Sequence, residues 1–210
     1  MKKKLISFLL GMLCCVYLVS PVAAYSRSNA ISYADTWAKA RNTSLFNDYG
    51  GSDCTNFVSQ CLYAGGLTSD DTWWYRKTAV GISESTTWRQ ASSLRNYFIS
   101  TGKETKIGAW AKISNISPSG YAYVTNSSNL TASNTGKVVV FYDWYNDGVV
   151  NHSAFYVANN TTATETSLSS KPIGDLIDQH SNDRKRVIWH LDEYNANRAT
   201  TVIYAYELSV

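Results

Sequence analysis

The feature that most restricts the fold of this chain is a change of period between its two halves. Up to about residue 100, apolar residues recur at three- and four-residue spacing. From residue 137 onward they alternate or run together in short blocks bounded by turn residues. The first pattern suits helices that bury one face, and the second suits strands. "SNAISYADTWAKARN", Ser28 to Asn42, puts Ile31, Ala34, Trp37 and Ala38 on one helical face. After a polar bend a second helix is expected, with Ser52 or Asp53 as N-cap, Phe57, Val58, Cys61 and Leu62 as its buried stripe, and Gly65-Gly66 closing it. A third helix is expected from roughly Thr86 to Ser100. In the second half, "KVVVFYDWYNDGVVNHSAFYV" reads as two strands joined around Asp147-Gly148, a hairpin dipeptide. "DLIDQHS", "RVIWHL" and "VIYAYEL" read as three more strands. Helices followed by an antiparallel sheet define an α+β fold.

Residues 1–24 have the makeup of a secretory signal peptide. Lys2, Lys3 and Lys4 precede an apolar run from Leu5 to Val19, and Val22-Ala23-Ala24 offers small residues for cleavage. The run is short for a membrane span, so no stable membrane insertion is expected once it is removed. Cleavage also changes the charge. The formal +3 of the 210-residue chain comes from 19 Lys and Arg against 16 Asp and Glu, and the leader holds three of those lysines and no acid. The remaining chain is therefore formally neutral, which gives no support for a nucleic-acid partner. Residues 25–210 are expected to form one secreted or wall-associated monomeric domain. A 44% hydrophobic content with 7 Trp, 15 Tyr and 6 Phe is ample for a core and excludes an intrinsically disordered chain.

Outside the leader only Cys54 and Cys61 remain. Seven positions apart on one helix, they lie roughly 10 Å apart, whereas a disulfide needs Cα atoms closer than about 7 Å. An exported protein that keeps two unpaired thiols needs a reason for at least one of them. Cys61 sits in the apolar stripe and reads as core. Cys54 opens the helix, where unpaired backbone N–H groups and the positive end of the helix dipole favour a thiolate. A nucleophilic thiol needs a base, and the chain has only His152, His180 and His190. His152 enters a strand just past the hairpin, beside small Ala154. His180 lies on the next expected strand, where a group that orients the first imidazole would sit. His190, between Trp189 and Leu191, reads as structural.

The segments "YADTWAKARN" and "DCTNFVSQCLYAGG", with Trp88 in "TTWRQASSLRNYF", "HSAFYV" and "QHSND", resemble the family known as the Putative amidase domain of bacterial secreted and surface proteins. That family is similar to the NlpC-type cell-wall cysteine peptidases. The resemblance implies a papain-like fold with the nucleophile helix packed on an antiparallel sheet. It also implies a cysteine nucleophile, a histidine base and a polar third group, roles that fall on Cys54, His152 and His180, with Asn182 as a neighbouring alternative for the third. The strand before the histidine departs from the family's usual Gly-Asp start and reads Gly136-Lys137-Val138. The implied activity is hydrolysis of an amide bond, in peptidoglycan or a peptide, through an acyl-enzyme and without cofactor or metal. Cys54 N–H is the expected oxyanion donor, with Tyr33, Tyr49 and Asn56 as candidates for a second.

Two other readings use the same residues. A non-catalytic cell-wall or host-surface binding module would keep the fold and use the many Trp and Tyr as a platform. A zinc centre would take Cys54, His152 and His180 as three ligands, although no tight ligand spacing such as Cys-x-x-Cys occurs.

Overall fold

The computed structural model describes residues 24–112, 127 and 129–210. The expected signal peptide therefore lies outside the described residues, apart from Ala24. Among the described residues, no helix is long and apolar enough to cross a membrane.

Helix α1 spans Arg27–Trp37, shorter than expected, and starts where the Ser26 hydroxyl accepts from Asn29 N–H. Its buried positions are Ala30 and Ala34, with Ala38 just beyond its end. Three small side chains let it pack closely on α2, Cys54–Ala64, which is buried along its whole run from Cys54 to Leu62. The expected third helix is two helices, α3 (Thr86–Arg89) and α4 (Ala91–Thr101), broken where Gln90 adopts an extended conformation. The Ser85 hydroxyl caps α3 by accepting from Trp88 N–H. Gly102, with φ +64°, ends α4 in the left-handed conformation that glycine adopts without cost.

The tryptophan-rich stretch forms an unexpected hairpin, β1 (Tyr75–Thr78) with β2 (Gly81–Glu84). Beneath it, Trp88 stacks between Trp73 and Tyr75 at ring separations of 4.8 and 5.4 Å. Trp73 and Trp88 are fully buried, so these two indoles serve the core.

Six antiparallel strands make the main sheet: β3 (Glu104–Ala111), β4 (Val138–Asp143), β5 (His152–Thr162), β6 (Ile173–Gln179), β7 (Arg184–Ile188) and β8 (Val202–Leu208), in the spatial order β3-β8-β4-β5-β6-β7. β3 carries no strong pattern in the sequence because it is an edge strand, mostly exposed. β4 lies inside the sheet and is buried at every position, as a continuous apolar run predicts. The β4–β5 hairpin does turn through Asp147-Gly148, but over the wide loop 144–151. There the Asp143 carboxylate accepts from the N–H groups of Tyr145, Asp147 and Gly148. This loop delivers His152 to the first position of β5, and α2 packs on β5. The architecture is thus helices from the N-terminal half packed on an antiparallel sheet, as the period change requires.

Candidate active site

The chemistry-bearing side chains meet where the start of α2 touches the start of β5. Cys54 is the first residue of α2 and His152 the first of β5, 8% and 7% exposed. One hydroxyl bond joins these ends, and a contact within α2 links it to the sulfur. Thr55 Oγ1 and Ser153 Oγ lie 3.0 Å apart, and Thr55 Oγ1 is 3.6 Å from Cys54 Sγ. Burial by itself would raise the Cys54 pKa. The charge and hydrogen bond of His152, helped by Thr55 and the Ser153 backbone, outweigh it and bring the thiol from 9.0 down to about 6. Cys61, two turns along the same helix, has no such partner. Burial, with the negative charge of Asp178 added, pushes it well above its ordinary value.

The tautomer of His152 follows from its surroundings. Gln179 Nε2 donates to the Asn182 carbonyl at 3.1 Å. A carbonyl can only accept, so the amide nitrogen must face it, and Gln179 Oε1 must face His152, 2.9 Å from Nε2. His152 Nε2 therefore carries a proton, and Nδ1 is left for the sulfur. Trp144 stacks on the imidazole with an interplanar angle of 21° and a ring separation of 5.6 Å, which fixes the plane of the ring.

His180 does not take this place. It falls in the β6–β7 turn, and both ring nitrogens point elsewhere: Nδ1 is 2.5 Å from Asp53 Oδ2, and Nε2 donates to the Trp37 carbonyl at 2.8 Å. The ring stacks on Phe57 at 4.0 Å. Asp53 does not cap α2 with its side chain. It is fully buried and receives Tyr49 N–H, Asn56 Nδ2, His180 and, at 3.3 Å, Arg41. His180 thus ties the C-terminal half to the residue before the cysteine. The Cys54–His152–His180 set does not converge on a point where a metal would bind, since His180 has no nitrogen facing the sulfur. Asn182 contributes its carbonyl, to Gln179. His190 is buried, with Nδ1 accepting from Asp192 N–H.

Cys54 N–H donates to Ser181 Oγ at 3.0 Å. Ser181 holds φ at +77°, a strained value for a residue with a side chain. Tyr33 and Asn56, two of the candidate second oxyanion donors, are engaged away from the sulfur, Tyr33 with Gln60 and Asn42, Asn56 with Asn47, Asp53 and Trp88. Tyr49 alone of the three lines the cleft. This open cleft of about 720 Å³ exposes Cys54, His152, Gln179 and Ser181 on its floor.

Helices on an antiparallel sheet, with a low-pKa thiol beside an oriented imidazole in an open cleft, define an α+β protein with an enzyme-like site. The chain belongs to the family described as Putative amidase domain, whose model matches residues 24–203; by that description the family is one of C–N hydrolases. It is also 29% identical over 142 residues to the uncharacterized protein YhbB of Bacillus subtilis. That match covers 65% of this chain but 38% of YhbB, so the chain spans well under half the length of this relative. No solved structure matches the chain.

Proposed function

We propose that the protein is a secreted thiol amidase of papain-like design that cleaves an amide bond in the bacterial cell wall, with Cys54 as nucleophile, His152 as acid and base, and Gln179 as the residue that orients His152. The observation that carries this reading is the Cys54 thiol brought to about 6 by an imidazole whose far nitrogen is held by Gln179. Near neutral pH the sulfur is then a thiolate and Nδ1 carries the proton it gave up. The thiolate attacks the substrate carbonyl carbon, forming the S–C bond and a tetrahedral oxyanion. Ser181 accepts from Cys54 N–H and still has its own proton to donate, so its hydroxyl extends the positive end of α2 to that oxygen. Collapse breaks the C–N bond as Nδ1 gives its proton to the leaving amine. Water then attacks the thioester while Nδ1 takes a proton from it, and the thiolate leaves. The tautomer enforced by Gln179 keeps Nδ1 as the working nitrogen through both halves.

Cell-wall substrate and export rest on the family resemblance and the leader. The test is incubation of purified peptidoglycan with the protein and with its Cys54→Ala variant, followed by mass analysis of released amines. New amino termini produced by the first and absent with the second are expected. Equal release by both would remove the thiol mechanism.

A further inference from the structure

The cleft carries positive charge that no carboxylate answers among the described residues. Arg89 and Arg184 both line it, and so do the tyrosines they rest on. The guanidinium carbon of Arg184 lies 3.7 Å from the ring centre of Tyr194, and that of Arg89 lies 5.7 Å from the ring centre of Tyr49. Outside the cleft three arginines are matched with carboxylates, while Arg95 lies on the Tyr204 ring at 4.3 Å with its Nε buried and without an acceptor, as in Arg184. Arg41 holds Asp183 through two bonds of 2.7 and 2.8 Å, Arg186 holds Asp35 at 2.7 and 2.6 Å, and Arg198 pairs with Asp192. Neither cleft arginine has a carboxylate within ion-pair distance among the described residues, and Arg184 Nε is buried without an acceptor.

Among the described residues, no Asp or Glu lines the cleft. Of the acids on the segments around it, Asp53 is engaged by His180, Asp183 and Asp48 by Arg41, Asp192 by Arg198, Glu193 by the hydroxyl of Thr166 and the N–H of Ser167, and Asp143 and Asp147 by N–H groups of their own loop. A buried N–H without an acceptor is costly. A guanidinium laid against a tyrosine face keeps its plane fixed and its N–H edge free for the two oxygens of a carboxylate.

We propose that the cleft is a carboxylate-recognition site, and that the ligand held there for attack by Cys54 is an acidic peptide whose carboxylate Arg184 binds, with Arg89 supplying a second positive contact. This deepens the thiol-amidase reading and rests on it. Two alkylating probes of equal size test it: bromoacetyl-glutamate α-amide and its glutamine counterpart. With either, Cys54 Sγ forms a bond to the methylene carbon and bromide leaves, so no turnover of an unidentified substrate is needed.

The expected result is labelling of Cys54 about tenfold faster by the glutamate probe, relative to the same pair reacting with mercaptoethanol, with the gap narrowing as salt is raised. The His152 imidazolium also favours an anion, so the arginine variants decide the matter. Arg184→Gln is expected to reduce the ratio about threefold, Arg184→Lys to restore most of it, and Arg89→Gln with Arg184→Gln to reduce it further still. Circular dichroism of each variant confirms folding. A ratio near one in the native protein, or one unchanged in the double variant, overturns the proposal while leaving the thiol reading intact. No reaction of Cys54 with either probe brings down both.

Discussion

Cys54 and Cys61 lie two turns apart on one helix, are both buried, and are driven in opposite directions. Desolvation acts on both and raises both. At the start of α2, an imidazole and a backbone N–H from β5, with the Thr55 hydroxyl of α2 itself, reverse it; in the middle, a neighbouring carboxylate adds to it. Burial therefore does not decide which cysteine is reactive. What decides is whether another element delivers donors and positive charge to the sulfur, and only the helix end, where β5 begins, leaves room for that.

The largest effect that could break this contrast is labelling by iodoacetamide at pH 6. A thiol with a pKa of about 6 is then half ionised, while one at its ordinary value is ionised about one part in a thousand. Cys54 is expected to react at least about 500-fold faster than Cys61, with a rate that climbs as pH rises through 6 and levels off beyond it. Equal slow rates, read by peptide mapping, would erase the distinction. Next comes His152→Ala. Without the imidazole, the remaining burial raises the thiol, so the labelling profile should move toward pH 9 and amide hydrolysis should fall by about 10³-fold. An unmoved profile would mean that the helix end alone ionises the sulfur.

Gln179 and His180 sharpen the comparison further. Gln179→Ala is expected to lower kcat about 10- to 100-fold with little change in KM, and Gln179→Glu to recover part of the loss. His180→Ala should act mainly on stability, at a cost of about 2–4 kcal/mol, because it leaves the buried Asp53 carboxylate with one partner fewer. Urea denaturation together with steady-state kinetics separates the two, and the contrast fails if His180→Ala removes activity without loss of stability. The smallest effect is that of Cys61→Ala. A small cavity should cost about 1–2 kcal/mol, with the labelling profile of Cys54 unmoved.

Much of this was legible in the residues. The switch from helical to strand spacing gave the α+β architecture, and the position of Cys54 before a buried stripe marked it as the start of a helix. The bond between Gln179 and His152 was not legible. Next to a histidine, a glutamine on a short strand carries no pattern of its own, and chemical habit favours the imidazole. The missing information is register. Phe155 pairs with Asp178 and Tyr156 with Ile177. Carried back, that register sets Ser181 opposite His152 and Gln179 diagonally beside it on the same face, with His180 on the other. β1, β2 and β3 were missed for a different reason: they are short or at an edge and mostly exposed, so no apolar alternation is imposed on them.

The β6–β7 turn has a consequence for how the protein comes into being. Within a few residues, Gln179 steers one ring, His180 clasps the residue before the cysteine, Ser181 meets the cysteine's own N–H, and the Asn182 carbonyl steadies Gln179. A ribosome that has translated α1 and α2 but not yet residue 182 holds a chain whose thiol at position 54 is an ordinary one. Reactivity arrives only with the last third of the polypeptide, so a growing or still-unfolded chain is chemically quiet toward its surroundings.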